Sequence, residues 1–239
     1  MSTPYTIDAT HLDNGKDFEF SLMTAEYLEE SLAVLRESFF PHEAVHKVLG
    51  MSKNPLAVEE EEKLCRKTFE DGVSVIAREK ASGKIVTVAF CKMQEKPKPG
   101  EQGAFDEIAA SFKQPESLGV MDFMIQVDGK VDMFGKYSTT TLYELMFLGT
   151  LPEYCGRHLA LDVSRVCLQV AGQTSASAVT ILCTSPWTES ISKGLGFELL
   201  HKGSWQDFQT SDGLKYSDVL GNETFYTLRA FPLRKVTKM

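Results

Sequence analysis

Residues 142–172, LYELMFLGTLPEYCGRHLALDVSRVCLQVAG, constrain the fold more than any other stretch of the chain. An apolar, strand-like run over residues 142–151 breaks at Pro152, passes through a short turn holding Gly156, and resumes as an amphipathic helix that stops at Gly172. The first N–H groups of a helix have no partner within it and point outward with the positive end of the helix dipole behind them. Strand, tight turn and helix start together make a ready place for a phosphate-bearing anion. An ordinary α/β crossover has the same outline, so the rest of the chain has to decide.

The 239 residues contain no Pro-, Ser- or Gly-rich linker, which reads as one domain over residues 1–239. Hydrophobic residues at 43% and charged residues at 24% are ordinary for a packed core with a wetted surface. The formal charge of −8 argues against a nucleic-acid-binding surface and suits a cationic small molecule better. The five cysteines, Cys65, Cys91, Cys155, Cys167 and Cys183, form no C-x-x-C pair, so neither a disulfide framework nor a zinc ribbon is indicated and a reducing cytoplasm is the expected home. The N-terminus has no apolar signal core, and no run approaches the roughly 20 apolar residues of a membrane span, so neither secretion nor a membrane partner is expected.

Along the chain, residues 18–22 read as a first strand, with Thr24 placed to cap a following helix. Leu28, Leu32, Leu35 and Phe39 recur at helical steps and mark one apolar face. Asn54-Pro55 is a cap followed by a first helical position, Glu59/Lys63 and Glu62/Arg66 are i,i+4 pairs, and Gly72 stops that helix. Its acidic run, residues 59–62, reads as a solvated face. Residues 73–78 and 84–92 read as a hairpin, 96–102 as a surface loop, and 105–112 and 121–134 as short helices. Residues 178–183 are a buried strand, Pro186 opens a short helix ended by Gly194 and Gly196, and a strand starts at Phe197. Residues 205–208 and 225–231 complete the series as hairpin strands.

The turn over Cys155, Gly156, Arg157, His158, Leu159 and Ala160 resembles the cofactor-binding motif of the GNAT superfamily of acyl-CoA N-acyltransferases, whose usual form is Arg/Gln-x-x-Gly-x-Gly/Ala. Cys155 stands where Arg or Gln is usual and His158 where Gly is usual. Leu195-Gly196-Phe197 resembles a second segment of that superfamily. More narrowly, ESFFPHEAV, LPEYCGRHLA and WTESISKGLGFELL resemble, in order and spacing, segments of the insect-type arylalkylamine N-acetyltransferases. The resemblance implies a GNAT-like α/β (α+β) fold, a central and mostly antiparallel mixed sheet flanked by helices.

It also implies a reaction: acetyl transfer from acetyl-CoA as cosubstrate to a small primary amine, arylalkylamine-like, by direct attack and without a metal. An alkylamine is protonated near neutral pH. Glu43 aligns with the family's catalytic glutamate and is the expected general base. Leu148, Gly149 and Thr150 fall where the family lays the pantetheine arm along the backbone, and Gly149 permits either a close approach or a structural bulge. Thr184 and Thr188 match a pair of hydroxyls four residues apart, with helix capping as the plainer role for either. Ser192 stands where many members place a tyrosine. Arg157 is a phosphate partner or an exposed turn residue; His158 contacts phosphate, caps the helix or is simply exposed. Trp187 walls an aromatic substrate or belongs to the core.

Two other readings remain open on sequence alone. His42-Glu43-Ala44-Val45-His46 is a literal H-E-x-x-H, which on a helix offers two zinc ligands and a general base, with Glu70 as a distant third ligand, as in a zinc hydrolase. A divergent CoA-binding protein without chemistry is the other.

Overall fold

The computed structural model describes residues 5–98, 106–222 and 224–233. The chain runs β1 (Phe18–Leu22), α1 (Leu28–Ser38), α2 (Ala44–Leu49), α3 (Pro55–Phe69), β2 (Val75–Glu79) and β3 (Ile85–Glu95). It continues with α4 (Asp106–Ala109), α5 (Pro115–Asp128), α6 (Met133–Lys136), β4 (Thr141–Thr150), α7 (Leu159–Ala171) and β5 (Ala178–Cys183). The last elements are α8 (Pro186–Gly194), β6 (Glu198–Ser204), α9 (Tyr216–Leu220) and β7 (Phe225–Pro232).

The strands form one seven-stranded sheet in the order β1-β2-β3-β4-β5-β7-β6. Every neighbouring pair is antiparallel except β4 with β5. A parallel pair needs a crossover, and α7 supplies it: Val163, Val166, Cys167 and Val170 bury the apolar stripe of that helix in the main core. Helices α1 and α3 add Leu32, Leu35, Leu64 and Cys65 to the same core. The N-terminal segment is tied to α7 by Asp162, a fully buried carboxylate that accepts from the Asn14 amide at 2.9 Å, the Asn14 side chain at 2.8 Å and Arg165 at 2.8 Å.

A second core lies under α2, α5 and α9. Phe123 packs on Trp205 at 5.4 Å and on Phe208 at 5.0 Å between ring centroids, with Tyr216 and Tyr226 completing the group. This packing corrects the reading of residues 205–208 as a strand. Trp205–Asp207 is a 3-10 turn, and burying Trp205 there outweighs strand pairing. Residues 121–134 are also redrawn: α5 begins at Pro115 and carries Gly119 inside it, where an added β-carbon would lie 2.9 Å from the Leu49 methyl groups of α2. That glycine lets two helices approach instead of ending one. Part of the loop and helix expected over 96–112 lies outside the described residues. Thr24 makes no side-chain cap, and a 3-10 turn, Ala25–Tyr27, precedes α1.

Of the acidic run only Glu59 is exposed, so most of it is not a solvated face. Glu60, Glu61 and Glu62 are buried: Glu60 accepts the amides of Lys113 and Gln114 at 2.9 and 3.1 Å, and Glu62 pairs with Arg36 of α1. Among the described residues no helix is long and apolar enough to cross a membrane.

Candidate active site

The sheet is incomplete at its centre. β4 pairs with β3 along its whole length, but with β5 only from Tyr143 to Leu145. The β3–β4 register steps from Phe90–Phe147 to Cys91–Leu145, which leaves Met146 as an extra residue on β4. Such a bulge bends its strand and sharpens the local twist. From Met146 onward β4 therefore diverges from β5, and the backbone groups that a full ladder would give to β5 face a gap. The bulge is at Met146 and not at Gly149. A β-carbon at Gly149 would stand 2.5 Å from the Ser38 hydroxyl oxygen, so this glycine exists to seat α1 on β4.

The gap opens into a cavity of about 80 Å³ walled by Leu145, Phe147 and Leu148 of β4, Ile181 of β5, and Glu43, Thr184 and Thr188. Three of the residues singled out in the sequence, Glu43, Thr184 and Thr188, thus meet Leu148 around one cavity although Glu43 lies far from the two threonines in the chain. Gly149 and Thr150, the last two residues of β4, and the turn from Cys155 that follows them do not line this cavity. The cavity shares Met124, Asp128 and Glu144 with a larger neighbouring space of about 470 Å³. Burial and the adjacent Asp128 charge push Glu144 up to about 7.

Glu43 is placed by its own local structure. It is the N-cap of α2, with extended backbone, and its Oε2 accepts the His46 amide at 2.9 Å. The same oxygen lies 2.6 Å from His46 Nδ1. Burial alone would raise Glu43, but the bond and charge of His46, helped by the Thr184 hydroxyl, hold it below the usual carboxylate value. Burial works against a charge on His46 as well; the bond to Glu43 and the approach of Glu61 overcome it and raise His46 to about 9. The imidazole is therefore cationic at neutral pH. Its ring sits between Phe39 and Phe40, with centroids at 5.2 and 5.7 Å.

This geometry overturns the zinc reading of H-E-x-x-H. α2 begins only after Glu43, so His42 and His46 do not share a helical turn: His42 is exposed and His46 is buried against Glu43 and Glu61. Among the described residues, no group of three His, Cys, Asp or Glu side chains is arranged to hold a metal.

The turn before α7 keeps its amides free. Gly156 has φ 80° and His158 φ 62°, both left-handed, and the first amide bonded back into the helix is that of Asp162, to the His158 carbonyl at 3.1 Å. Among the described residues the N–H groups from Gly156 to Leu161 donate no hydrogen bond, and a β-carbon at Gly156 would meet open space. An oxyanion seated here meets several donors at the positive end of α7. His158 thus adopts the backbone that a glycine would adopt most easily. Arg157 lies over the Tyr154 ring at 4.9 Å, beside the same turn. The Cys155 thiol reaches back to the Leu151 carbonyl at 3.6 Å and ties the turn to the end of β4.

The other hydroxyls are largely committed. Thr188 donates to the Ser185 carbonyl at 3.1 Å within the cap of α8, so its capping role is visible even though it borders the cavity. Ser192 is buried and donates to the Glu189 carbonyl at 3.0 Å. Trp187 is 78% exposed and lines neither cavity, which fits neither expectation for it. Sequence reasoning missed His46 as the partner of Glu43, and Glu61 as the carboxylate that faces His46. A signal existed for Glu61, which falls on the same helical stripe as Ala57, Leu64, Cys65 and Thr68, all buried.

No protein-family model matches the chain, and no curated protein matches it. Solved structures do. Arylalkylamine N-acetyltransferase 2 from Aedes aegypti superposes with a TM-score of 0.79 at 16% identity, over 91% of this chain and 99% of that one. A polyamine N-acetyltransferase of Drosophila melanogaster that catalyses formation of N-acetylagmatine gives 0.75 at 15% identity, over 91% and 100%. The NatC complex bound to Gag peptide and CoA is more distant, with 0.51 at 10% identity over 91% and 99%. The chain has the GNAT acetyltransferase fold and, within it, resembles the insect arylalkylamine N-acetyltransferases.

Proposed function

We propose that residues 1–239 form one catalytic domain that transfers an acetyl group from acetyl-CoA to a small primary amine. The single observation that carries this reading is the cavity in which Glu43, Thr184 and the open backbone of β4 meet, continuous in sequence with the free amides before α7. The residues fit the cosubstrate: a diphosphate suits the amides from Gly156 to Ala160, with Arg157 beside them, and an extended arm suits the unpaired edge of β4 at Leu148, Gly149 and Thr150.

In this reading Glu43 takes a proton from the substrate ammonium, directly or through a water. The freed amine attacks the thioester carbonyl, whose developing negative oxygen is met by a backbone N–H of β4 near Leu148. Thr184, beside Glu43, is the better placed of the two threonines to donate to the leaving thiolate, because the Thr188 hydroxyl is held in its helix cap. Phe39, Phe123 and Phe147 on the cavity wall favour an aryl or alkyl body on the amine. Asp128 and Glu144, shared with the larger space, favour a second reading in which the amine carries another cationic centre, as in a diamine or guanidino-amine.

A thiol-release screen over monoamines, polyamines and hydrazines at saturating acetyl-CoA tests both. Amine-dependent release is expected, and Glu43→Gln should lower turnover by roughly 100-fold or more while acetyl-CoA still binds. Unchanged turnover in that variant would discard Glu43 as the base. Binding of acetyl-CoA with no release for any amine would replace the transferase by a non-catalytic CoA-binding protein.

A further inference from the structure

Glu61 is 0% exposed, and neither of its carboxylate oxygens finds a hydrogen-bond donor among the described residues. Its nearest charged neighbour is His46 Nε2, 3.7 Å away, an ion-pair distance too long for a hydrogen bond. The imidazole thus stands between two carboxylates, gripped at Nδ1 by Glu43 from the N-cap of its own helix and faced at Nε2 by Glu61 from α3. A buried carboxylate without donors is costly, and nothing in the packing of α3 calls for one at a position flanked by Ala57, Leu64 and Cys65.

We propose that His46 and Glu61 are positioning residues that set the proton affinity of Glu43, linking the two carboxylates through one imidazolium into a buried unit with a single excess negative charge. This rests on the transferase reading above. The excess charge is what the reaction uses. When an ammonium ion gives up a proton, an N–H bond breaks at the substrate nitrogen, its electron pair stays there for attack, and an O–H bond forms at Glu43. The unit then becomes neutral, with His46 and Glu61 left as a matched pair. Without Glu61, Glu43 and His46 would already be matched, and taking up the proton would leave a buried imidazolium with no counter-charge. Glu61 therefore makes a carboxylate that its neighbour has rendered weakly basic willing to accept a proton.

The other groups around the unit do not substitute for Glu61. On α3, Cys65 is a buried thiol pushed well up by burial and the nearby glutamates, and Glu62 is engaged with Arg36. On α9, Tyr216 is pushed up to about 12 by burial and then by the charges of Glu43 and Asp122, so it stays neutral. Asp122 and Asp128 lie on α5, Asp128 on the cavity wall, and Thr184 at the end of β5 is uncharged.

Two isosteric variants test the assignment with opposite signs. Removing a negative charge in Glu61→Gln should move both limbs of the kcat–pH profile to lower pH, lower the plateau by roughly tenfold or more, and leave KM for acetyl-CoA within about twofold. Removing the cation in His46→Gln should move the acidic limb to higher pH. A heteronuclear NMR titration of His46, run on the full chain without substrate, should find a midpoint near 9 in the wild type and at least about one unit lower in Glu61→Gln. An unchanged His46 midpoint, or limbs that move in the same direction in the two folded variants, would overturn the proposal. Absence of thiol release from the wild type would sink the transferase reading instead, and the imidazole titration would then decide alone whether Glu61 governs the charge on the Glu43–His46 pair.

Discussion

Glu43 combines two tasks that usually fall to different residues. As N-cap it satisfies an amide of α2, and as a cavity-wall carboxylate it faces the end of β4. The cap bond fixes its backbone and one oxygen, so the side chain meets a substrate already oriented, with little rotamer freedom left to lose. His158 is the second residue whose backbone carries the argument. Its left-handed conformation costs an ordinary side chain about 1–2 kcal/mol. A β-branched residue suffers most there, so His158→Val should lower stability by about 1–2 kcal/mol. His158→Gly should change it by less than about 0.5 kcal/mol, because relief of strain is offset by the greater freedom of glycine in the unfolded chain. Thermal melts of the three proteins check this, and equal midpoints for His158→Val and wild type would speak against a left-handed residue at the start of α7.

Between elements, two contacts hold the site's frame. The first is the seat of α1 on β4, where Gly149 leaves room for Ser38, whose hydroxyl donates to the Val34 carbonyl at 2.6 Å. Gly149→Ala should overpack this contact by about 1–3 kcal/mol in chemical unfolding, and Ser38→Ala in the same chain should recover part of the loss. Additive losses would mean that the two residues do not meet. The second contact fixes α8 to β7. Arg229 grips Glu189 with Nε at 2.7 Å and an Nη at 2.8 Å, Thr227 donates to the same carboxylate, and Arg229 also reaches the Phe197 carbonyl at 3.0 Å. Burial would raise Glu189, but Arg229, Lys193 and Thr227 pull it down to about 2. Because its folded value lies below its unfolded one of 4.5, the stabilisation is complete above pH 4.5 and is lost as the pH falls through about 2. Glu189→Ala strands a buried guanidinium and should cost about 3 kcal/mol at neutral pH, with a smaller difference from wild type in acid. A pH-independent difference between the two proteins would assign the loss to packing.

For the molecule as a whole, what the sequence made legible followed backbone punctuation. Pro152, Gly156 and Gly172 bracket the turn and helix after β4, Pro186 and Gly196 bracket α8, and the apolar run at residues 178–183 coincides with β5. These signals act locally, so they survive folding intact. The misreadings were of things that only a neighbour decides. The helix read over residues 121–134 was begun too late because only the neighbouring Leu49 shows why Gly119 sits inside α5, and residues 205–208 looked like a strand until Phe123 and Tyr216 are seen around Trp205. The acidic run looked solvated because each of its three buried glutamates takes its partner from elsewhere: Glu60 from the start of α5, Glu61 from α2 and Glu62 from α1. The gap beside β4 was out of reach for the same reason, since the extra residue at Met146 exists only relative to the register of β3. Glu43 and Thr184 were found through resemblance, whereas the cluster behind Glu43 required coordinates. In the proposed function the amides before α7 hold a diphosphate whose thioester end reaches Glu43. Calorimetric titration of the folded protein with acetyl-CoA, and with acetyl-pantetheine, which lacks the diphosphate, tests this. One saturable site per chain is expected for acetyl-CoA, retained in Glu43→Gln, with acetyl-pantetheine bound at least about 100-fold more weakly; no uptake of acetyl-CoA, or equal affinity for the two compounds, would contradict it.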